Sequence, residues 1–348
     1  MVFAVNCFHE WVQIEPKQGG QAKQIEFGGS HCFLGILPWY HIFGLWTTML
    51  WSCLSGNKIV CIPDPRNGTP PFSEALQSIK KYQTTIVSAV PSIFTAMTHD
   101  PLIDKHDLSS IVACASGAAP LATETLARFK KKTGAVIFEG YGLSECLPIG
   151  INPTNLKDRK IGSVGIPCSK TRVKIVNIET GIDELPQGED GEIVVHGPQL
   201  MKEYLNRPDA NQSDFRLING KRFFLTGDIG HIDAEGYLII TDRKKDMILV
   251  GGFNVYPAEV EEALISHPSV ALAAVIGIPT EDKKETVKAF VQLSPDQTAT
   301  VEEILEHCKT KLSAYKCPKQ IEFRSEIPTS IVGKVIRRIL KEELQVKA

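Results

Sequence analysis

The sequence predicts an α/β fold: a doubly wound parallel sheet, then a small antiparallel β subdomain, then an α+β C-terminal domain. Three observations predict it. Apolar strands and helix-period runs alternate between residues 70 and 140, the periodicity switches to two after Gly162, and a charged junction at Asp242 opens a last stretch of about a hundred residues. In the first region, Phe72, Ala75, Leu76 and Ile79 mark a helix, and Thr85 to Val90 a strand. Ser110 to Ala115 reads as a strand, Leu121 to Lys132 as a helix and Ala135 to Phe138 as a strand, which implies right-handed crossovers. In the second, Arg172 to Val176, Glu192 to Val195 and Tyr237 to Ile240 alternate between glycine and acidic turns. Beyond the junction we expect a helix at 258–266, strands near 271–277 and 287–293, a helix at 301–312, a strand at 320–324 and a helix from about 335.

The 348 residues carry a net charge of −2, too little to gather nucleic acid or an anionic membrane over long range, so a phosphate would be held by local groups. The nine cysteines form no C-x-x-C pair and no zinc-ligand spacing, and read as reduced thiols of a cytoplasmic protein. The N-terminus carries Glu10 and no basic flank before an apolar core, and so does not read as a secretory signal. Residues 27–57 carry no formal charge and are long enough to span a bilayer, but Gly29, Gly35, Pro38, His31 and His41 interrupt them. Pro38 would separate a strand from a buried helix; the alternatives are a transmembrane helix and a membrane-associated interaction protein in peripheral contact with the inner face of a membrane.

Ser116-Gly117-Ala118-Ala119-Pro120 and Glu139-Gly140-Tyr141-Gly142-Leu143-Ser144-Glu145 each follow a predicted parallel strand. Ligands of open α/β sheets sit at the carboxyl ends of strands, so the two small-residue turns should converge on one crevice. Either turn alone is equally a strand-to-helix connection without a ligand. Tyr141 offers a ring for a base, Ser144 a hydroxyl for a phosphate and Glu145 a hard oxygen for Mg²⁺. Asp228, in Thr226-Gly227-Asp228, could accept from ribose hydroxyls or serve an ordinary turn. Lys334 follows Gly333 at a helix start, and is either a solvated lysine or a cation for a developing phosphoryl charge. His41 reads first as a histidine satisfied by backbone.

Eight motifs in one order then make the chain resemble the AMP-forming acyl-CoA synthetases, an adenylate-forming superfamily: LPWYHIFGL (37–45), SGAAP (116–120), EGYGLSE (139–145), GSVGIP (162–167), GEIVVHGPQLMKEYLNRP (191–208), TGDIG (226–230), DRKKDMILVGGFNVYPAEVE (242–261) and GKVIRR (333–338). The hinge segment at 242 is similar to that of bacterial long-chain fatty-acyl-CoA ligases. The resemblance implies a two-step reaction with ATP, Mg²⁺, CoA and a fatty acid, passing through acyl-AMP. It implies nucleotide binding by Gly117, Ala118, Ala119, Glu139, Gly140, Tyr141, Gly142, Ser144, Asp228, Ile240 and Arg243, with Mg²⁺ on Glu145. Lys334 would neutralise charge in the first step, Asp242 would be the pivot, and Gly251, Gly252 and Phe253 would pass pantetheine in the second. His41 would gate the passage between the ATP and acyl sites.

By the same resemblance, the phosphate loop should stand before residue 1. We therefore expect residues 1–241 to be a partial AMP-binding large domain (α/β over 31–160, β-rich over 161–241), its parallel sheet a remnant, with 242–348 a mobile lid. Residues 1–30 match none of the motifs. The expectation is a truncated ligase, inactive alone or completed by a separate N-terminal polypeptide. Alternatives are a nucleotide-binding pseudoenzyme and a ligase for aryl or medium-chain acids. An amino-acid substrate is disfavoured, because no acidic residue stands between Glu26 and Asp64 to meet its ammonium.

Overall fold

Cys32–Gly35 forms the first strand of the main sheet, β1, and all four of its residues are buried. An uninterrupted apolar tetrapeptide suits a parallel strand covered on both faces. The computed structural model describes residues 13–14, 23–24, 29–64, 66–69, 72–100, 103–119, 121, 123–153, 159–280, 284–294, 297–330 and 335–347. Contacts divide the chain into two units: Met1–Glu189 with Ile193–Thr226 and His231–Ile239, and Asp190–Glu192 with Gly227–Gly230 and Ile240–Ala348.

Pro38 follows β1, and α1 then runs over 42–55 with a π-helical stretch at Leu45–Leu50. It ends at Gly56, whose left-handed φ of 69° suits a residue without Cβ. Three of its hydroxyls bond within their own helix: Thr47 Oγ1 donates to the Phe43 carbonyl at 2.8 Å, Ser55 Oγ to that of Trp51 at 2.6 Å, and Ser52 Oγ to that of Thr48, while buried Thr48 Oγ1 has no partner among the described residues. A charge-free helix can thus be buried without leaving those three hydroxyls unpaired. Trp51 is 1% exposed and meets Phe33 edge to face at 4.9 Å. No helix among the described residues is long and apolar enough to cross a membrane.

The chain continues through β2 (Lys58–Cys61), α2 (Ser73–Tyr82), β3 (Ile86–Ala89), α3 (Pro91–His99), β4 (Ala113–Ser116), α4 (Thr123–Thr133) and β5 (Ile137–Tyr141). α2 buries Ala75, Leu76 and Ile79 on one stripe, and ends in Lys80 and Lys81, where the helix dipole favours cations. β4 starts three residues later than predicted, because a turn over 108–111 closes with Ile111 N donating to the Leu108 carbonyl at 3.1 Å. The parallel order is β2-β1-β3-β4-β5, and two short strands, β6 (Gly150–Ile151) and β7 (Ile166–Pro167), extend it antiparallel. The doubly wound sheet is therefore mixed at one edge. The order reverses between β1 and β3, which makes that point a switch.

The predicted antiparallel subdomain comprises β8 (Arg172–Val176), β9 (Gly191–His196), β10 (Phe215–Ile218), β11 (Lys221–Ile232) and β12 (Leu238–Arg243). Their order is β8-β9-β11-β10, with β12 against β11, around Val176, Val194, Ile218 and Phe223. Asn219 and Gly220, with φ of 50° and 71°, make the tight turn that sets the β10/β11 register.

The second unit contains the hairpin β13/β14 (Ile248–Val250, Phe253–Val255), helix α5 (Pro257–Ile265), antiparallel β15/β16 (Val270–Pro279, Glu285–Leu293), helix α6 (Val301–Lys309), β17 (Gln320–Phe323) parallel to β16, and helix α7 (Arg337–Lys347). A capping box between Thr300 and Glu303 starts α6, which is one turn shorter than predicted and ends at Lys309.

Candidate active site

A cavity of about 50 Å³ opens at the carboxyl ends of β1, β4 and β5. His41, Phe43 and Trp46 line it from α1, Ser116, Gly117 and Ala118 from the turn after β4, and Gly140, Tyr141 and Gly142 from the end of β5. The two small-residue turns do share one crevice. Close approach explains the glycines: a Cβ on Gly117 would stand 3.3 Å from the Gly140 carbonyl oxygen, and one on Gly142 only 2.2 Å from Leu147 Cδ1. Ala118 holds φ at 71°, a left-handed conformation that costs a residue with Cβ about 1 kcal/mol. Tyr141 is 8% exposed, so most of its ring is already covered.

Ser116, the first residue of the SGAAP turn, carries a further signal. It is 1% exposed, lines the cavity, and its Oγ has no hydrogen-bond partner among the described residues. A buried hydroxyl left so at a cavity wall points to a ligand atom.

His41 lines the cavity and also caps α1: its Nδ1 accepts from the Phe43 amide at 3.2 Å. In a neutral ring that bond leaves the proton on Nε2. The structural and the cavity-facing readings of His41 hold together.

Ala119, Glu139, Ser144 and Glu145 are not among the cavity-lining residues. Ala119 and Ser144 are exposed. Glu139 alternates with Phe138 and Gly140 along β5 and so faces the other way. It is 8% exposed with Oε2 unpartnered, and burial pushes its carboxyl up to about 7 against the pull of Arg159 and the Leu121 amide.

Ser144 and Glu145 sit in a turn pinned by Ile149 N to the Tyr141 carbonyl at 2.8 Å and by Met201 N to the Glu145 carbonyl at 2.7 Å. Tyr204 Oη donates to Glu145 Oε1 at 2.8 Å, a contact absent from the predicted site because the partners are 59 residues apart. Mg²⁺ takes one or two protein carboxylates and completes its shell with phosphate oxygens and water. Glu145, with one oxygen oriented by Tyr204, fits that donor set. Among the described residues no group of three His, Cys, Asp or Glu forms a metal cage.

In the second unit, Arg243 Nε pairs with Asp228 Oδ1 at 3.0 Å, and Asp228 is 4% exposed. The two expected ribose ligands therefore meet. Half-buried Ile240 stands two residues before Asp242. Asp242 is 6% exposed, and its oxygens accept from the Arg243 amide at 2.6 Å and the Ala258 amide at 2.8 Å. Burial pushes this carboxyl up, while the two amides pull it down. Ala258 lies in the first turn of α5, so the expected pivot residue also accepts one of the amides that the helix start leaves without an intrahelical partner.

Gly251 and Gly252, with φ of 59° and 88°, form the two-residue turn between β13 and β14, and a Cβ on either would meet nothing within 4 Å. Phe253 beside them is 60% exposed and leans on the Tyr315 ring at 5.0 Å. Gly333 and Lys334 lie outside the described residues.

A doubly wound sheet with its crevice at the strand ends, followed by an α+β unit, defines a class of ligand-binding α/β enzymes. Comparison with known proteins narrows it: the AMP-binding enzyme family matches residues 7–205, and the AMP-binding enzyme C-terminal domain matches 259–334. The chain belongs to the AMP-binding enzyme family. The match starts at residue 7, so residues 7–30, which carry none of the quoted motifs, belong to it as well. The chain is 41% identical over 317 residues to a long-chain-fatty-acid–CoA ligase of Bacillus subtilis, an alignment covering 90% of this chain and 54% of that one. It is 40% identical over 316 residues to a long-chain-fatty-acid–CoA ligase of Yersinia pestis, covering 90% and 54%. ATP-bound MatB from Rhodopseudomonas palustris superposes with a TM-score of 0.83 at 29% identity, over 96% of this chain and 67% of that one. The chain spans about half the length of the curated relatives it matches.

Proposed function

We propose that this chain serves the ATP-dependent activation of a long-chain fatty acid to acyl-AMP and the transfer of the acyl group to CoA. The observation that carries this reading is the shared crevice of the turns after β4 and β5, with the unpartnered Ser116 hydroxyl in its wall, in a chain whose relatives are named as long-chain-fatty-acid–CoA ligases. Tyr141, Gly140 and Gly142 frame the adenine, Gly117 and Ala118 line the same crevice, and Ser144 meets the α-phosphate, while Ala119 and Glu139 stand outside that lining. Asp228 and Arg243, with Ile240 nearby, hold the ribose. The large domain ends and the lid begins at Asp242.

In the first step a carboxylate oxygen of the fatty acid attacks the α-phosphorus, and pyrophosphate leaves. The fatty acid is ionised at neutral pH, so no protein base is required. Mg²⁺ on Glu145, when bound, offsets charge on the phosphate oxygens. Lys334 adds a cation for the same charge. In the second step the CoA thiol sulfur attacks the acyl carbon, its proton passes to water, and the acyl–phosphate bond breaks to release AMP. The Gly251-Gly252 turn gives pantetheine room, Phe253 flanks it, and His41 guards the passage between nucleotide and acyl chain.

The test is palmitate-dependent ATP–pyrophosphate exchange in the unmodified chain and in Lys334→Ala. A preorganised cation of this kind is worth about 3 kcal/mol, or roughly a hundredfold in rate. Exchange unaffected by the substitution, or failure of the chain to form thioester from supplied palmitoyl-AMP and CoA, sinks the reading; exchange absent from the unmodified chain is the outcome expected of a truncated ligase.

A further inference from the structure

Arg337 opens α7, three residues after Lys334, and its side chain is only 14% exposed. A cation is misplaced there on simple electrostatics, because a helix N-terminus favours anions and the first turn of α7 contains none. Its compensation comes from two distant segments. Nη2 donates to Glu261 Oε1 at 2.8 Å and Oε2 at 2.7 Å, Nε to Oε1 at 3.2 Å, and Nη1 to Asp246 Oδ2 at 3.4 Å. Glu261 is itself held by the Val275 amide at 2.8 Å.

These contacts close a ring. Asp242 accepts from the amide of Ala258 in α5, α5 carries Glu261, Glu261 grips Arg337, and Arg337 reaches Asp246, four residues beyond Asp242. The segment at 242–246, the start of α5 and the start of α7 are thereby tied at one point. α7 has apolar anchorage besides: Leu340 is fully buried among Ala274, Ile276, Phe290 and Ile327, with Val335 packed against them. The chain before it is held by the Thr329–Val335 bridge and by Ile336 N to the Pro328 carbonyl at 2.9 Å. A buried ion pair is weak evidence for stability, since an apolar pair of similar volume often does as well, and its best attested use is to fix one arrangement among several.

We propose that Arg337 is a positioning residue of the adenylation step, fixing through Glu261 and Asp246 the start of α7 and the residues 335–336 that follow Lys334 in sequence. The inference rests on the role given to Lys334 above. It assigns Arg337 no contact with substrate. The guanidinium fork grips two carboxylates in defined directions, which a lysine ammonium cannot reproduce.

The test uses the full chain and the variants Arg337→Met, Arg337→Lys and Glu261→Gln, with Lys334→Ala alongside. Three quantities are read: palmitate-dependent ATP–pyrophosphate exchange, thioester formation from supplied palmitoyl-AMP and CoA, and amide hydrogen exchange over 335–340. In Arg337→Met we expect exchange kcat to fall at least tenfold with KM for ATP within twofold, thioester formation within twofold, and amide exchange over 335–340 faster by at least tenfold. Arg337→Lys should recover part of the loss, and Glu261→Gln should show the same split more mildly. Equal losses in both half-reactions, no loss in either, or unchanged amide exchange overturns the proposal, as does a chain that binds ATP without exchange. If Lys334→Ala keeps its exchange rate, the functional reading has failed; if it loses it while Arg337→Met does not, only this inference has.

Discussion

Replacing Glu139 with glutamine should make the protein more stable at pH 8, although Glu139 lies in a candidate nucleotide motif. The carboxyl is 8% exposed, its Oε2 has no partner among the described residues, and burial raises it from an ordinary 4.5 to about 7. Because the folded state holds this proton more tightly than the unfolded chain, the contribution is complete below the unfolded value and is lost as pH rises through the folded one. The span from 4.5 to about 7 corresponds to roughly 3 kcal/mol, acting on a group too buried for solvent to screen much of it. Glutamine is also polar and buried, so about 2 kcal/mol is the expected gain at pH 8, with little difference at pH 5. Urea unfolding of both proteins at the two pH values measures it. Glu261 is raised by burial in the same sense but is present in both proteins, so it cancels in the comparison. A glutamine variant that loses as much stability as the parent between pH 5 and pH 8, or is the weaker one at pH 8, refutes the reasoning.

Gly165→Ala should be among the most damaging single changes: φ is 90°, and the new Cβ would fall 2.0 Å from the backbone carbon and oxygen of Ile151, where neither can yield. A loss of about 4 kcal/mol is expected in thermal or urea unfolding, and a variant within 1 kcal/mol of the parent contradicts it. Tyr204→Phe removes the hydroxyl that donates to Glu145, at about 1.5 kcal/mol of stability. It should also raise several-fold the Mg²⁺ concentration needed for half-maximal pyrophosphate exchange, and an unchanged Mg²⁺ titration would detach Tyr204 from the metal's carboxylate.

Periodicity and punctuation settled much from the chain alone. The amphipathic stripe of α2, the period-two runs of β8, β9 and β12 and the glycine turn at 251–252 depend on neighbours a few residues away, so spacing reveals them. Pro38 was enough to split the charge-free run into a strand and a buried helix. The strand-end rule likewise placed the turns after β4 and β5 in one crevice, because a parallel sheet leaves them no other side. Tertiary structure alone decided the rest. The edge strands β6 and β7 are two residues each, too short to show a period, and exist because the sheet offers them a partner. Tyr204 meets Glu145 and Arg337 meets Glu261 across 59 and 76 residues, separations at which only folding brings donor and acceptor within 3 Å. The elevated proton affinity of Glu139 is of the same kind, since it belongs to the burial around the carboxyl and not to the carboxyl itself.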